Sequence, residues 1–77
     1  MDLTIISPEK VLFTGKVTSV QVPGKAGRFE VLANHAPIIS SLDEGTILYK
    51  DDDEHTQEIK RGFVEVANNK VTICVEL

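Results

Sequence analysis

The feature that most constrains this chain is the brevity of its apolar runs. No window of ten or more residues carries apolar side chains at helical spacing. Instead, short runs rich in Val, Ile and Thr are cut at close intervals by Pro, Gly, Asn or Asp. Val, Ile and Thr supply 22 of the 77 residues, and Ala only four. β-Branched side chains are stiff in helices and suit the pleated, half-buried surface of a strand. The pattern therefore predicts an all-β chain.

The runs fall in order. Leu3–Ser7 is closed by Pro8, and Val11–Phe13 ends near Gly15. In Val17–Val22, Val20 and Val22 share one face, with Ser19 and Gln21 opposite. Pro23–Gly27 is a turn-rich break. Arg28–Val31 follows with Phe29 and Val31 directed inward, then a second break over Ala33–Pro37, where Asn34 is placed to cap a single helical turn. Ile38–Leu42, a turn at Asp43–Gly45 and Thr46–Lys50 lead to a polar hairpin tip, Asp51–Glu54. The return strand spans about His55–Arg61, and Gly62 marks a bulge or bend before Phe63–Ala67. Asn68-Asn69 is a two-residue hairpin signal, since Asn tolerates the positive φ of a type I′ turn. Val71–Val75 closes the series with Val71, Ile73 and Val75 on one face. Eight to ten short strands with tight turns predict antiparallel pairing in a sandwich or flattened barrel. No repeat, linker or low-complexity stretch divides the chain, so residues 1–77 read as one domain.

Length and charge then exclude whole classes of function. A chain this short buries only about 60–65% of its unfolded surface, and its core is expected to supply on the order of 3–5 kcal/mol. That leaves no room for a nucleotide-binding α/β fold or a deep enclosed active site. Eight Lys and Arg stand against 12 Asp and Glu, a net charge of −4. This balance argues against binding nucleic acid and against adsorption to anionic lipid. The single cysteine, Cys74, has no partner for an internal disulfide. No signal or transit peptide is visible at Met1–Thr4, and no apolar stretch is long enough to span a bilayer.

Candidate sites are few. The acidic tip Asp51-Asp52-Asp53-Glu54-His55 lacks the alternate spacing and the glycine of a calcium loop, and reads as a solvated hairpin end. His35, in Asn34-His35-Ala36-Pro37, has no evident nucleophile or orienting carboxylate. It reads as a turn histidine that bonds backbone or meets a partner. Cys74 lies in a strand with nothing to lower its pKa. Gly24 and Gly27 give Gly-x-x-Gly with no helix after it, so no phosphate cradle follows. No catalytic constellation, metal site or cofactor site is expected, and a binding or structural module is the default.

Five phrases in order narrow this further: Ser7–Gly15, Val17–Gly24, Gly27–Pro37, Leu42–Gly45 and Gly62–Thr72. Together they resemble the N-terminal β-sandwich domain of the F-type ATP synthase epsilon subunits, from about Leu3 to Glu76. The resemblance implies a sandwich of two roughly five-stranded antiparallel sheets. It implies a non-catalytic rotor subunit at the foot of the central stalk, docked on the gamma subunit and on the c-ring, where it helps couple proton translocation to ATP synthesis. The family's gamma-facing surface carries over onto Ser7, His35, Ser40 and Thr46. Its ring-facing loop carries over onto Gly24, Lys25, Ala26, Gly27, Arg28 and Phe29. The location implied is peripheral, on the cytoplasmic side of a bacterial plasma membrane, without lipid insertion.

The chain departs from the family pattern at three positions near that loop. Arg28 stands where many relatives have an acidic residue, Glu30 where many have a small one, and Ala33 where proline is common. A salt-sensitive ring contact through Arg28 or Glu30 is therefore one expectation. Many members continue into a C-terminal helical hairpin, whereas this sequence stops at Leu77, so neither inhibition through that hairpin nor ATP binding is expected of it. The alternative is a lipoyl- or biotinyl-type carrier domain, for which Lys25 and Lys50 lack suitable flanks. A small metal enzyme built on the acidic tip and His55 is the poorest reading.

Overall fold

The computed structural model describes residues 1–77 and contains nine strands and no helix. They are β1 Asp2–Ile6, β2 Val11–Lys16, β3 Ser19–Val22, β4 Phe29–Leu32, β5 Ile38–Leu42, β6 Gly45–Lys50, β7 Glu54–Ile59, β8 Arg61–Ala67 and β9 Lys70–Glu76. A five-stranded sheet has the order β2-β1-β9-β8-β5, and a four-stranded sheet the order β4-β3-β6-β7. The expected β-sandwich is present. One pairing is of a kind that local turn signals do not reveal: β1 and β9, the two ends of the chain, pair in parallel. Every other pair is antiparallel.

Period-two alternation puts one side of each strand into a single core. Fifteen buried hydrophobic residues form it, including Leu3, Ile5, Val20, Val22, Val31, Ile47, Val64, Val66, Val71 and Ile73, and no polar side chain is buried with them. The pairings also define two ends. Met1, the 33–37 connection, the β6–β7 tip and the Asn68-Asn69 turn lie at one end. The Ser7–Lys10 turn, the Pro23–Arg28 loop, Asp43-Glu44, Lys60 and Leu77 lie at the other.

Two local expectations change and one holds. Asn34 caps no helical turn. It has φ 62 at the third position of a β-turn closed by the His35 amide donating to the Leu32 carbonyl at 3.2 Å. Asn holds that left-handed conformation at low cost, and the Asn34 amide donates to Asn69 Oδ1 at 2.9 Å. Gly62 makes no bulge: it pairs regularly with Val75 and Leu42, and the register shift falls between Ile5 and Ile6 instead. A Cβ at Gly62 would lie 2.3 Å from the Cys74 carbonyl oxygen, so the glycine serves close strand approach. Asn68 and Asn69, at φ 53 and 60, make the two-residue turn their sequence predicts.

Candidate functional site

The outer face of the five-stranded sheet carries one apolar row. Val11 lies opposite Ile6, Ile6 opposite Cys74, Cys74 opposite Phe63, and Phe63 opposite Ser41. Directly opposed residues share a face, so the apolar row crosses four strands and ends against Ser41 on the fifth. Phe63 is 49% exposed and Val11 58% exposed, and Ile39 on the same face is 74% exposed. At the Ser7 end the row opens into a shallow depression of about 840 Å³. Ile6, Phe63 and Cys74 line it beside Lys25, Lys60 and Arg61.

The outer face of the four-stranded sheet is different. Here polar side chains bond one another. The Thr46 hydroxyl donates to Glu58 Oε1, and Arg28 Nη1 donates to the Thr46 carbonyl at 2.7 Å. Arg28 Nε donates to Gln21 Oε1 at 3.4 Å, and Gln21 Nε2 donates to Glu30 Oε2 at 3.4 Å. Arg28 and Glu30 are thus both engaged within the chain.

The residues expected at the gamma-facing surface do not all share one face. Ser7 ends β1 in a turn, its hydroxyl 3.3 Å from the Lys10 amide and the Lys10 carbonyl. His35 lies at the opposite end of the sandwich, its Nδ1 2.7 Å from the Ala36 carbonyl oxygen. Ser40 is half-buried on the edge strand β5, opposite the buried Val64. Thr46 belongs to the outer face of the other sheet. The Gly24–Phe29 set does stay together, at the Ser7 end, and its anchoring is described below.

Sequence reasoning missed the placement of His55. It is not part of a solvated tip: it pairs with Tyr49 across β6 and β7 and faces the core side. Its ring stacks on Tyr49 at 5.1 Å, and Phe13 meets Tyr49 at 4.6 Å. These rings close the sandwich where β2 faces β7. The signal was available, since His55, Gln57 and Ile59 alternate toward the buried Ile59. His55 Nε2 also lies 2.9 Å from Asp51 Oδ1. The Asp51 carboxyl is held below its ordinary value, first by the Asp53 amide and then by His55. Asp2 is likewise held low, by its hydrogen bond and ion pair with Lys16. Burial raises the Tyr49 phenol, with a smaller contribution from the Asp51 charge. No group of three or more His, Cys, Asp or Glu side chains is placed to hold a metal ion.

The fold and this surface define the class: a two-layer β-sandwich domain with an apolar row on one outer face and a hydrogen-bonded polar set on the other. Residues 1–77 match the family described as the ATP synthase delta/epsilon chain β-sandwich domain, and the chain belongs to that family. It is similar to the ATP synthase epsilon chain of Caulobacter vibrioides, 40% identical over 77 residues, covering 99% of this chain and 90% of that one. It is 38% identical over 76 residues to that of Chlorobium limicola, covering 96% of this chain and 86% of that one. Against the epsilon chain of Leptospira borgpetersenii it is 38% identical but spans only 61% of that relative's length. The fold recurs in a chain of the Euglena gracilis mitochondrial ATP synthase OSCP/F1/c-ring structure, with a TM-score of 0.89 at 21% identity. That likeness covers 95% of this chain and 48% of the other. A chain of the Tetrahymena thermophila mitochondrial ATP synthase central stalk/c-ring structure gives a TM-score of 0.86 at 14% identity, covering 99% and 63%. The match over the whole chain leaves the carrier-domain alternative without support.

Proposed function

We propose that this chain is the docking domain of a non-catalytic central-stalk subunit, seated between the gamma subunit and the c-ring of an F-type ATP synthase. The observation that carries the reading is the apolar row Val11, Ile6, Cys74 and Phe63, left open in a domain of this family. Burial of such a row, rimmed by polar groups, is the ordinary anatomy of a protein–protein interface core. The gamma subunit takes this face, with Ser7 at its margin and with Ser40 and His35 contributing along the β5 side. Thr46 contributes only through the loop it holds. The Gly24–Phe29 loop meets the c-ring. Seated there, the domain moves with the rotor and helps couple proton translocation to ATP synthesis, with all bond chemistry left to other subunits. Its place is peripheral, at the cytoplasmic face of the membrane, and none of its structure is a helix long and apolar enough to cross a bilayer.

Co-purification with a tagged gamma subunit, alone and together with the c-ring, tests this. A stoichiometric complex is expected. Failure to recover the chain with gamma overturns the reading.

A further inference from the structure

The Pro23–Phe29 loop is exposed at its tip, yet it is fastened at every side. The Gly24 backbone bridges Leu42, and the Lys25 amide donates to the Ser41 carbonyl at 2.9 Å. The Asp43 amide donates to the Pro23 carbonyl and the Gly27 amide to the Gly24 carbonyl, both at 2.9 Å. Gly24 is buried, and a Cβ there would meet the Gly27 carbonyl oxygen at 2.6 Å and the Phe29 ring at 2.8 Å. Gly27 has φ 133, a conformation that favours glycine. On the far side Arg28 reaches over the four-stranded sheet to the Thr46 carbonyl and to Gln21. The guanidinium is a rigid fork of donors, and two of its nitrogens already have acceptors inside the chain.

Lys25 is left over. Four ion pairs form in the molecule, and neither Lys25 nor Arg28 takes part in any of them. Lys25 is exposed at the tip and lines the depression together with Asp43, Lys60, Arg61 and Glu76. The two cations of the loop therefore differ: one is turned back onto the fold and one faces outward.

We propose that this loop is a preformed docking knuckle in which Arg28 is a positioning residue and Lys25 is the contact cation. The surface it fits, on the c-ring side of the proposed site, presents oxygen acceptors, carboxylate or backbone carbonyl, to the Lys25 ammonium. The proposal rests on the ring-facing reading above and deepens it. It moves the salt-sensitive contact away from Arg28 and Glu30, which bond Thr46 and Gln21 within the chain.

The test combines two measurements on the full chain. The first is affinity for the gamma–c-ring subcomplex at low and physiological salt, where screening separates a charge contact from a shape contact. The second is amide exchange at Lys25 and Gly27 in the free chain. Lys25→Ala is expected to weaken binding roughly two- to fivefold and to flatten the salt dependence, with exchange unchanged. Arg28→Ala is expected to keep the salt dependence while exchange at Gly27 and Lys25 rises roughly two- to tenfold. Arg28→Lys, which keeps a donor for the Thr46 carbonyl, should restore part of that protection. If Arg28→Ala flattens the salt dependence and leaves exchange unchanged, the roles are reversed and the proposal falls. Unaltered binding by Lys25→Ala removes the contact role. No binding by the unsubstituted chain overturns the docking reading, and the Lys25 contact with it. The exchange arm, made on the free chain, decides the positioning role separately.

Discussion

The two outer faces of this sandwich are built from the same alternating strands and end in opposite states. On the five-stranded side, Ile6, Cys74 and Phe63 stand in register, Phe63 exposed and the other two half-buried. On the four-stranded side, Arg28, Gln21, Glu30, Thr46 and Glu58 bond one another across β3, β4, β6 and β7. On that face these polar groups already have partners within the chain, although Leu32 on β4 is also exposed there. The apolar face gains free energy only when something takes it out of water. In the proposed reading, one side of the domain is tied up within the fold and the other is the side a partner covers. A chain whose own core is small is well served by such a division.

The sharpest way to test this division is within β9, whose side chains alternate between core and outer face. Ile73→Ala removes a fully buried side chain and is expected to cost about 2–5 kcal/mol. Its outward neighbour Cys74→Ser should leave stability nearly unchanged. Urea unfolding of the two variants checks the contrast. Equal losses would mean that the outer row is packed after all. Phe63→Ser is the matching test of docking. We expect unchanged unfolding of the free chain and a loss of gamma affinity worth at least about 1 kcal/mol, as for an aromatic at an interface core. Titration calorimetry against the gamma subunit reads it directly.

On the polar side, Thr46→Val removes the hydroxyl that donates to Glu58. The expected cost is about 0.5–1.5 kcal/mol of stability, measured by thermal unfolding. Gamma affinity should not change. A clear loss of gamma affinity with intact stability would place the Thr46 side chain at the gamma-facing surface.

Much of the fold was legible because its signals are local. Alternation in Val17–Val22 and Val71–Val75 sets which side chains face the core, and Asn68-Asn69 specifies its own turn. What stayed hidden is non-local. The parallel β1–β9 pairing joins the two ends of the chain, and no turn residue announces it. The apolar row is assembled from four separate runs, so Ile6 and Phe63 look like isolated apolar residues until the register aligns them through Cys74. The Pro23–Phe29 loop is legible as a turn-rich break, but the unlike settings of Lys25 and Arg28 depend on Thr46, which lies 18 residues beyond Arg28. Asn34 misled because its side chain suits both a helix cap and a left-handed turn position, and only the His35 amide decides between them.

The smallest effect is expected at the tip of the polar sheet, where β6 turns into β7. The Asp51 carboxylate accepts the Asp53 amide at 2.8 Å and the His55 ring nitrogen at 2.9 Å. Both contacts favour its charged form, and its pKa is lowered from 3.8. A carboxyl depressed in the folded state adds stability that is fully present above its unfolded value and is lost as pH falls through the folded one. The Asp51 contribution to the urea midpoint should therefore be fully present above about pH 3.8 and be lost as pH falls below it. Asp2, paired with Lys16, adds to the same limb. Asp51→Asn should make the acid limb shallower while lowering the neutral-pH midpoint slightly, because Asp51 is solvent-exposed and its charge is well screened. An unchanged acid limb would mean that the tip hydrogen bonds form equally in the unfolded chain. The polar face would then end at Lys50 rather than at the hairpin tip.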